Sequence, residues 1–241
     1  MRIASLELTK YVRVYVIIII CYVLLLTILA SRIEARNFMN YGTFDLDTFK
    51  AVNHSFAALF TSAIPFTIIL NICNEFSNGY ALKLISNGLA RTSYCSFKFA
   101  LAGALSIICM VLYAFVILAL VSIERVTYFD WTIFISSLIQ VLIFSMFFSS
   151  IAVSVALLGR SWQSALLFYY GYIIIEGIIV LRFGETVSWV KYLPVNLATS
   201  IFELKATPEK FSDYLLPAGV IIPFCLVIVW CAYHFFKKAD L

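Results

Sequence analysis

Six stretches of this chain stay apolar for about 17 to 27 residues at a time, and that recurrence limits the fold more than any other feature. The runs cover residues 14–30, 55–73, 99–123, 132–158, 164–181 and 214–236. A helix advances about 1.5 Å per residue, so about 20 apolar residues cross the hydrocarbon of a bilayer. No water is available there to a backbone N–H or C=O, and each segment must satisfy its own polar groups as a helix. None of the runs alternates as a barrel strand would. Composition agrees, with 63% of the 241 residues hydrophobic and 12% charged, where soluble domains carry roughly 45–50% and 25%. The sequence predicts an all-α polytopic membrane protein of six transmembrane helices, forming a single transmembrane domain over 1–241.

The first run lies close enough to the start to resemble a signal peptide. Thr27-Ile28-Leu29-Ala30-Ser31 makes a poor cleavage site, so a retained span is expected. An even number of spans puts both termini on one side. With the termini inside, segments 1–13, 74–98, 159–163 and 237–241 hold nine Lys or Arg, and the longer outer loops 31–54, 124–131 and 182–214 hold eight. The excess of positive charge on inner segments favours this orientation slightly. Cys21, Cys73, Cys95, Cys109, Cys225 and Cys231 fall in spans or on the inner side, as reduced thiols would.

What remains between the spans is too short for an enzyme domain. No HExxH, GxSxG, GxGxxG or GxxxxGK[ST] pattern occurs. His54 and His234 fall at opposite membrane faces and cannot share a site. The chain is therefore expected to be no enzyme, with no catalytic, cofactor-binding or metal-binding residue of its own, and its net charge of +4 does not point to nucleic acid.

Four regions carry more specific expectations. In residues 2–13, Arg2, Ser5, Thr9 and Arg13 share one helical stripe opposite Ile3, Leu8 and Val12, the pattern of a helix lying on the membrane surface. The inner loop 74–98 is punctuated by Gly79 and Gly88. Between them Tyr80 to Ser86 can form two helical turns anchored by Ala81, Leu82, Leu84 and Ile85, a docking element for a soluble partner. The outer loop 182–214 intersperses Val187, Trp189, Tyr192 and Leu197 with Lys191, Pro194 and Asn196, which suits a segment at the outer interface. Glu176 is the single acid inside a span, and a carboxylate there faces the bundle interior or a watery path. It is the candidate for the translocation path, with Tyr169, Tyr170 and Tyr172 as neighbours. Small-residue spacing at Ser145, Ser149, Ser150 and Ser154, and at Ala100 and Ala104, predicts close helix contacts. Pro65 and Pro223 should kink their spans, and Asn71 should bond within the bundle.

Glu75, Gly79, Lys83-Leu84-Ile85, Gly88, Arg91, Tyr94 and Lys98, with Leu6-Glu7-xx-Lys10-xx-Arg13 at the start and Phe235-Phe236-Lys237-Lys238 at the end, resemble the permease subunits of type-2 ABC transporters. Tyr80 stands where that family usually has Thr, and Asn87-Gly88 replaces its common Pro turn. The resemblance implies an ATP-driven exporter in a bacterial plasma (inner) membrane, with both termini cytoplasmic. Residues 1–13 would be an interfacial elbow helix and 80–87 a cytoplasmic coupling helix. Glu75, Gly79, Tyr80, Lys83, Leu84, Gly88 and Arg91 would couple it to a separate ABC ATP-binding subunit, present in two copies and carrying ATP and Mg. The permease would pair with a second copy of itself or a related permease, in contact with membrane lipid. Loop 182–214 would hold short re-entrant helices capping the exit, with Trp189, Tyr192 and Pro194 as outer gate candidates. The alternatives are a non-transporting anchor or immunity module that recruits a cytoplasmic partner, and a secondary transporter, for which one intramembrane acid offers little ion-coupling machinery.

Overall fold

The last five apolar runs reappear as helices, each longer than the run it contains. The computed structural model describes residues 28–29, 32–33, 43–44, 46–124, 126–202 and 212–238. The interfacial helix expected over 1–13, the first span apart from residues 28–29, and residues 203–211 of the loop lie outside the described residues. The elements are β1 (Thr43–Phe44), α1 (Leu46–Ala58), a π-helical turn (Leu59–Ala63), α2 (Ile64–Ser77), α3 (Tyr80–Ser86), α4 (Arg91–Ile123), β2 (Tyr128–Phe129), α5 (Trp131–Gly159), α6 (Trp162–Phe183), a 3₁₀ turn (Ser188–Tyr192), α7 (Pro194–Phe202) and α8 (Ser212–Lys238). Five segments among the described residues are long and apolar enough to cross a membrane: Asp47–Ser77, Arg91–Ile123, Trp131–Gly159, Trp162–Phe183 and Gly219–Lys238. The chain is a helical membrane protein.

The extra helix length has a simple origin. Helix α4 has 33 residues, about 50 Å at the usual rise, against about 30 Å of hydrocarbon. Apolar runs mark only the crossing, while backbone hydrogen bonding carries the helix on into the interface.

The second span is one composite rod. Pro65 has no N–H to return to the Thr61 carbonyl four residues back, and the strain is taken up by the π-helical turn just before it. The Tyr169 hydroxyl of α6 donates to that Thr61 carbonyl at 2.7 Å. A break in one helix thus becomes a tie to another.

Helix α5 is the axis of the bundle and packs against α2, α4, α6, α7 and α8. Phe144, Phe147, Phe148, Ala152, Val153 and Ala156 are buried along it, so it is apolar on all sides, as a central helix should be. Its start is capped by Asp130, whose Oδ1 accepts from Thr132 N at 2.9 Å and Ile133 N at 3.2 Å. By contrast α6 and α8 present Leu167, Phe168, Ile175, Leu181, Leu226 and Trp230 outward, surfaces suited to acyl chains.

Two expectations need correction. Ser145, Ser149 and Ser154 are buried as anticipated, but on α4 the buried small pair is Ala102 and Ser106, while Ala100 and Ala104 are exposed. Spacing by four residues selects parallel stripes, and packing alone decides which one faces the bundle. Asn71 is exposed on α2. The bundle is helical apart from one short ladder, in which β1 pairs in parallel with β2, Thr43 opposite Tyr128 and Phe44 opposite Phe129. That ladder, together with the Arg32–Glu124 ion pair at 3.0 Å, marks what we call the strand end of the bundle; the opposite end carries α3.

Candidate functional site

At the α3 end two left-handed glycines define a surface helix. Asn78 N bonds Asn74 O and Gly79 N bonds Phe76 O, both at 3.0 Å, closing α2. Gly79 then takes φ +66°, and its carbonyl accepts from Lys83 N at 3.0 Å to begin α3. At the far side Gly88 takes φ +98°, with Gly88 N on Ile85 O at 3.1 Å and Leu89 N on Leu84 O at 3.1 Å. An added Cβ would meet nothing within 4 Å at either glycine, so both are required for backbone conformation and not for space.

Helix α3 seats Ala81 fully in the bundle, with Leu84 and Ile85 packed against the core. Tyr80, Leu82 and Lys83 face outward. Leu82 is therefore not an anchor, contrary to the sequence expectation, because two turns can bury only one stripe.

Beneath α3 a staple joins α2 to α4. Glu75 Oε1 receives Lys98 Nζ at 2.5 Å, and Oε2 accepts from the Tyr94 hydroxyl at 2.7 Å. The Lys98 ammonium also lies 5.1 Å from the centre of the Tyr94 ring. Phe76, Tyr94 and Phe236 form an aromatic knot with ring centres 5.9 to 6.0 Å apart, which draws in the end of α8. Arg91 Nη1 donates to the Lys237 carbonyl at 3.2 Å.

The seven coupling candidates thus divide by what they touch. Gly79 and Gly88 make the turns, Leu84 packs inward, and Glu75 and Arg91 bond to the chain itself. Tyr80 and Lys83 remain available to an external surface. Sequence reasoning missed Phe76 in this knot; its position next to Glu75 was the only local signal. Tyr94 and Lys98, four residues apart on one face of α4, are the shared partners of Glu75.

The candidates at the strand end form a second, separate group. Helix α7 opens with Leu193-Pro194, which offers no side-chain cap of its own. Glu176 of α6 supplies one instead: its Oε1 accepts from Asn196 N at 2.8 Å. Glu176 is 3% exposed, and its Oε2 has no hydrogen-bond partner. The Tyr172 hydroxyl stands beside this carboxylate, one helical turn away, while its ring stacks on Phe224 with ring centres 6.3 Å apart. Tyr169, the other expected neighbour, goes to Thr61 instead, and Tyr170 packs on Tyr169 with ring centres 5.1 Å apart. Of the gate candidates, Pro194 begins α7, whereas Trp189 and Tyr192 are exposed on the 3₁₀ turn. Val190, Val195, Leu197 and Ala198 are the residues that bury this segment.

No cluster able to hold a metal ion occurs among the described residues, and Cys73, Cys95, Cys109, Cys225 and Cys231 are free thiols. An apolar cleft of about 100 Å³ between α1, α2 and α4 is lined by Phe56, Leu59, Ile64, Leu105, Cys109 and Leu112 among others. No family model matches the chain, and neither a curated protein nor a solved structure does.

Proposed function

We propose that this chain is the membrane-spanning permease subunit of an ATP-driven exporter of the type-2 ABC class, in a bacterial plasma membrane with both termini in the cytoplasm. The observation that carries the reading is α3, a two-turn helix held between two left-handed glycines at one end of the bundle, with Tyr80, Leu82 and Lys83 facing outward. Seven residues have no reason to form an isolated helix in water, where stability begins at about 12–15 residues. The chain instead seats α3 through Ala81, Leu84 and Ile85 on an end of the bundle where Glu75, Arg91 and the aromatic knot tie α2, α4 and α8 to one another. A rigidly mounted helix transmits force; a loose loop does not. A separate ATP-binding subunit gripping α3 would move the whole end of the bundle, and two such permeases would rock between two states.

The test is co-purification with the ATP-binding subunit encoded beside it, together with ATPase stimulation. Deleting residues 80–87 should release or uncouple the ATPase while the permease stays inserted, as should Glu75→Ala or Arg91→Ala. A fully coupled complex from all three would defeat the proposal. Binding of a cytoplasmic partner without ATP-dependent flux of any solute would favour a recruiting module instead.

A further inference from the structure

We infer that the cleft between α1, α2 and α4 is a binding site for the end of one acyl chain of a membrane lipid. The two rods that flank it are pinned to each other on either side of it. Toward the strand end the Tyr113 hydroxyl donates to Asn53 Oδ1, and the Phe56 ring meets that of Tyr113 edge-on with centres 5.1 Å apart. At the α3 end Glu75 takes both Lys98 and Tyr94. Between Lys98 and Tyr113, about 22 Å apart along α4 at the helical rise, α4 packs on α5 but not closely on α1 or α2. The π-helical turn Leu59–Ala63 and the Pro65 break lie beside this stretch, where the rod changes course. Neither helix can tilt to close the slot without breaking a pin.

The walls and the depth select the occupant. Apart from the weakly bonding thiol of Cys109, the one polar side-chain group of the lining is the Thr67 hydroxyl, and it is spent within its own helix on Ala63 O at 2.8 Å. Walls of this kind exclude water and accept hydrocarbon. The lining residues lie near the middle of the spans Asp47–Ser77 and Arg91–Ile123, the depth at which lipid chains end. Ile108 and Leu112 at the mouth are exposed on α4, whereas Phe56, Leu59 and Cys109 form a buried floor. Entry is therefore from the lipid and not from water. At about 100 Å³ the slot is too small for a helix, which is about 10–12 Å across with its side chains. Left empty, it would forfeit the contacts of its lining. An apolar cavity of about 150 Å³ already suffices for benzene, so a few methylene groups of a single chain suit this one.

The experiment uses the full chain in nanodiscs of phosphatidylcholine that carries a photoreactive diazirine either at the end of one acyl chain or beside the glycerol, with adducts mapped by peptide mass spectrometry. The chain-end probe is expected to label the floor residues Phe56, Leu59 and Cys109 as well as the outward residues Val111 and Phe115 of α4. The glycerol-side probe should leave the floor unlabelled. Cys109→Leu, which fills the slot, should lower floor labelling about fivefold and leave that of Val111 and Phe115 unchanged. A floor that the chain-end probe does not reach in the native chain overturns the inference, whether the slot is empty or holds a side chain of a second copy. Equal floor labelling by both probes overturns it too, as does labelling that a folded Cys109→Leu leaves undiminished. Should Cys109→Leu not fold, Ile64→Phe, which fills the slot from the opposite wall, is read in the same way. No ATPase is involved, so failure here leaves the exporter proposal intact, and the reverse holds too.

Discussion

Single residues tie the bundle together where apolar packing cannot give direction. The Glu75–Lys98 pair is the strongest such tie, because the Lys98 side chain is 5% and that of Glu75 21% exposed. Removing one partner of a buried pair leaves a charge uncompensated and costs about 3 kcal/mol, whereas removing both costs far less. Lys98→Met should therefore lower the unfolding midpoint in detergent sharply. The double variant Glu75→Gln/Lys98→Met should recover much of the loss, since the neutral amide carbonyl it introduces still accepts from the Tyr94 hydroxyl. Equal losses in the single and double variants would refute the pairing. At the other tie, Tyr169→Phe strips the donor from the Thr61 carbonyl that Pro65 cannot serve. A cost of about 0.5–1.5 kcal/mol is expected, measured by reversible unfolding, and it should vanish when Pro65→Ala restores an N–H at that position.

At the level of elements, α3 depends on backbone conformation more than on side-chain contacts. Gly79 at φ +66° has open space around it, so a substitution there is limited by the left-handed region alone, about 1–2 kcal/mol for most residues and less for Asn. Gly79→Asn should leave the segment 78–90 as resistant to limited proteolysis as the native chain, and Gly79→Val should open it. Similar cleavage of both variants would mean that the turn does not set α3. The cap at Asp130 is a comparable local device: Asp130→Ala should cost about 1 kcal/mol of stability through Thr132 N and Ile133 N, and Asp130→Ser should restore most of it.

For the whole molecule, the contrast between α5 and the outward faces of α6 and α8 sets where substitutions matter. Phe148 is fully buried and Leu181 is 89% exposed. In a bilayer both are surrounded by hydrocarbon-like matter, so burial from water distinguishes them little; the difference is close packing against fixed neighbours. Phe148→Ala should open a cavity and cost about 3 kcal/mol, while Leu181→Ala should change stability by less than about 0.5 kcal/mol. Sidedness is open to direct labelling. Cys95 is buried and a poor reporter, but Ser86→Cys, exposed at the end of α3, should react with an impermeant thiol reagent only from the cytosolic side. Labelling from outside intact cells would invert the topology and remove the exporter proposal.

The five described spans and the position of α3 between Gly79 and Gly88 were legible in the residues themselves, whereas short helices after α6 were expected only from the family resemblance. The reason is that a bilayer enforces helix wherever about 20 apolar residues occur, and glycine marks where the chain must turn left-handed. Partners were not legible. That Glu75 reaches Lys98, that Tyr169 serves Thr61, that Glu176 caps α7 with Tyr172 beside it, and that Ala102 faces inward while Ala100 does not, depend on the rotation and depth of each helix against the others. Hydrocarbon solvates every apolar face alike, so the one-dimensional pattern carries little information about rotation, and only the packed bundle decides it.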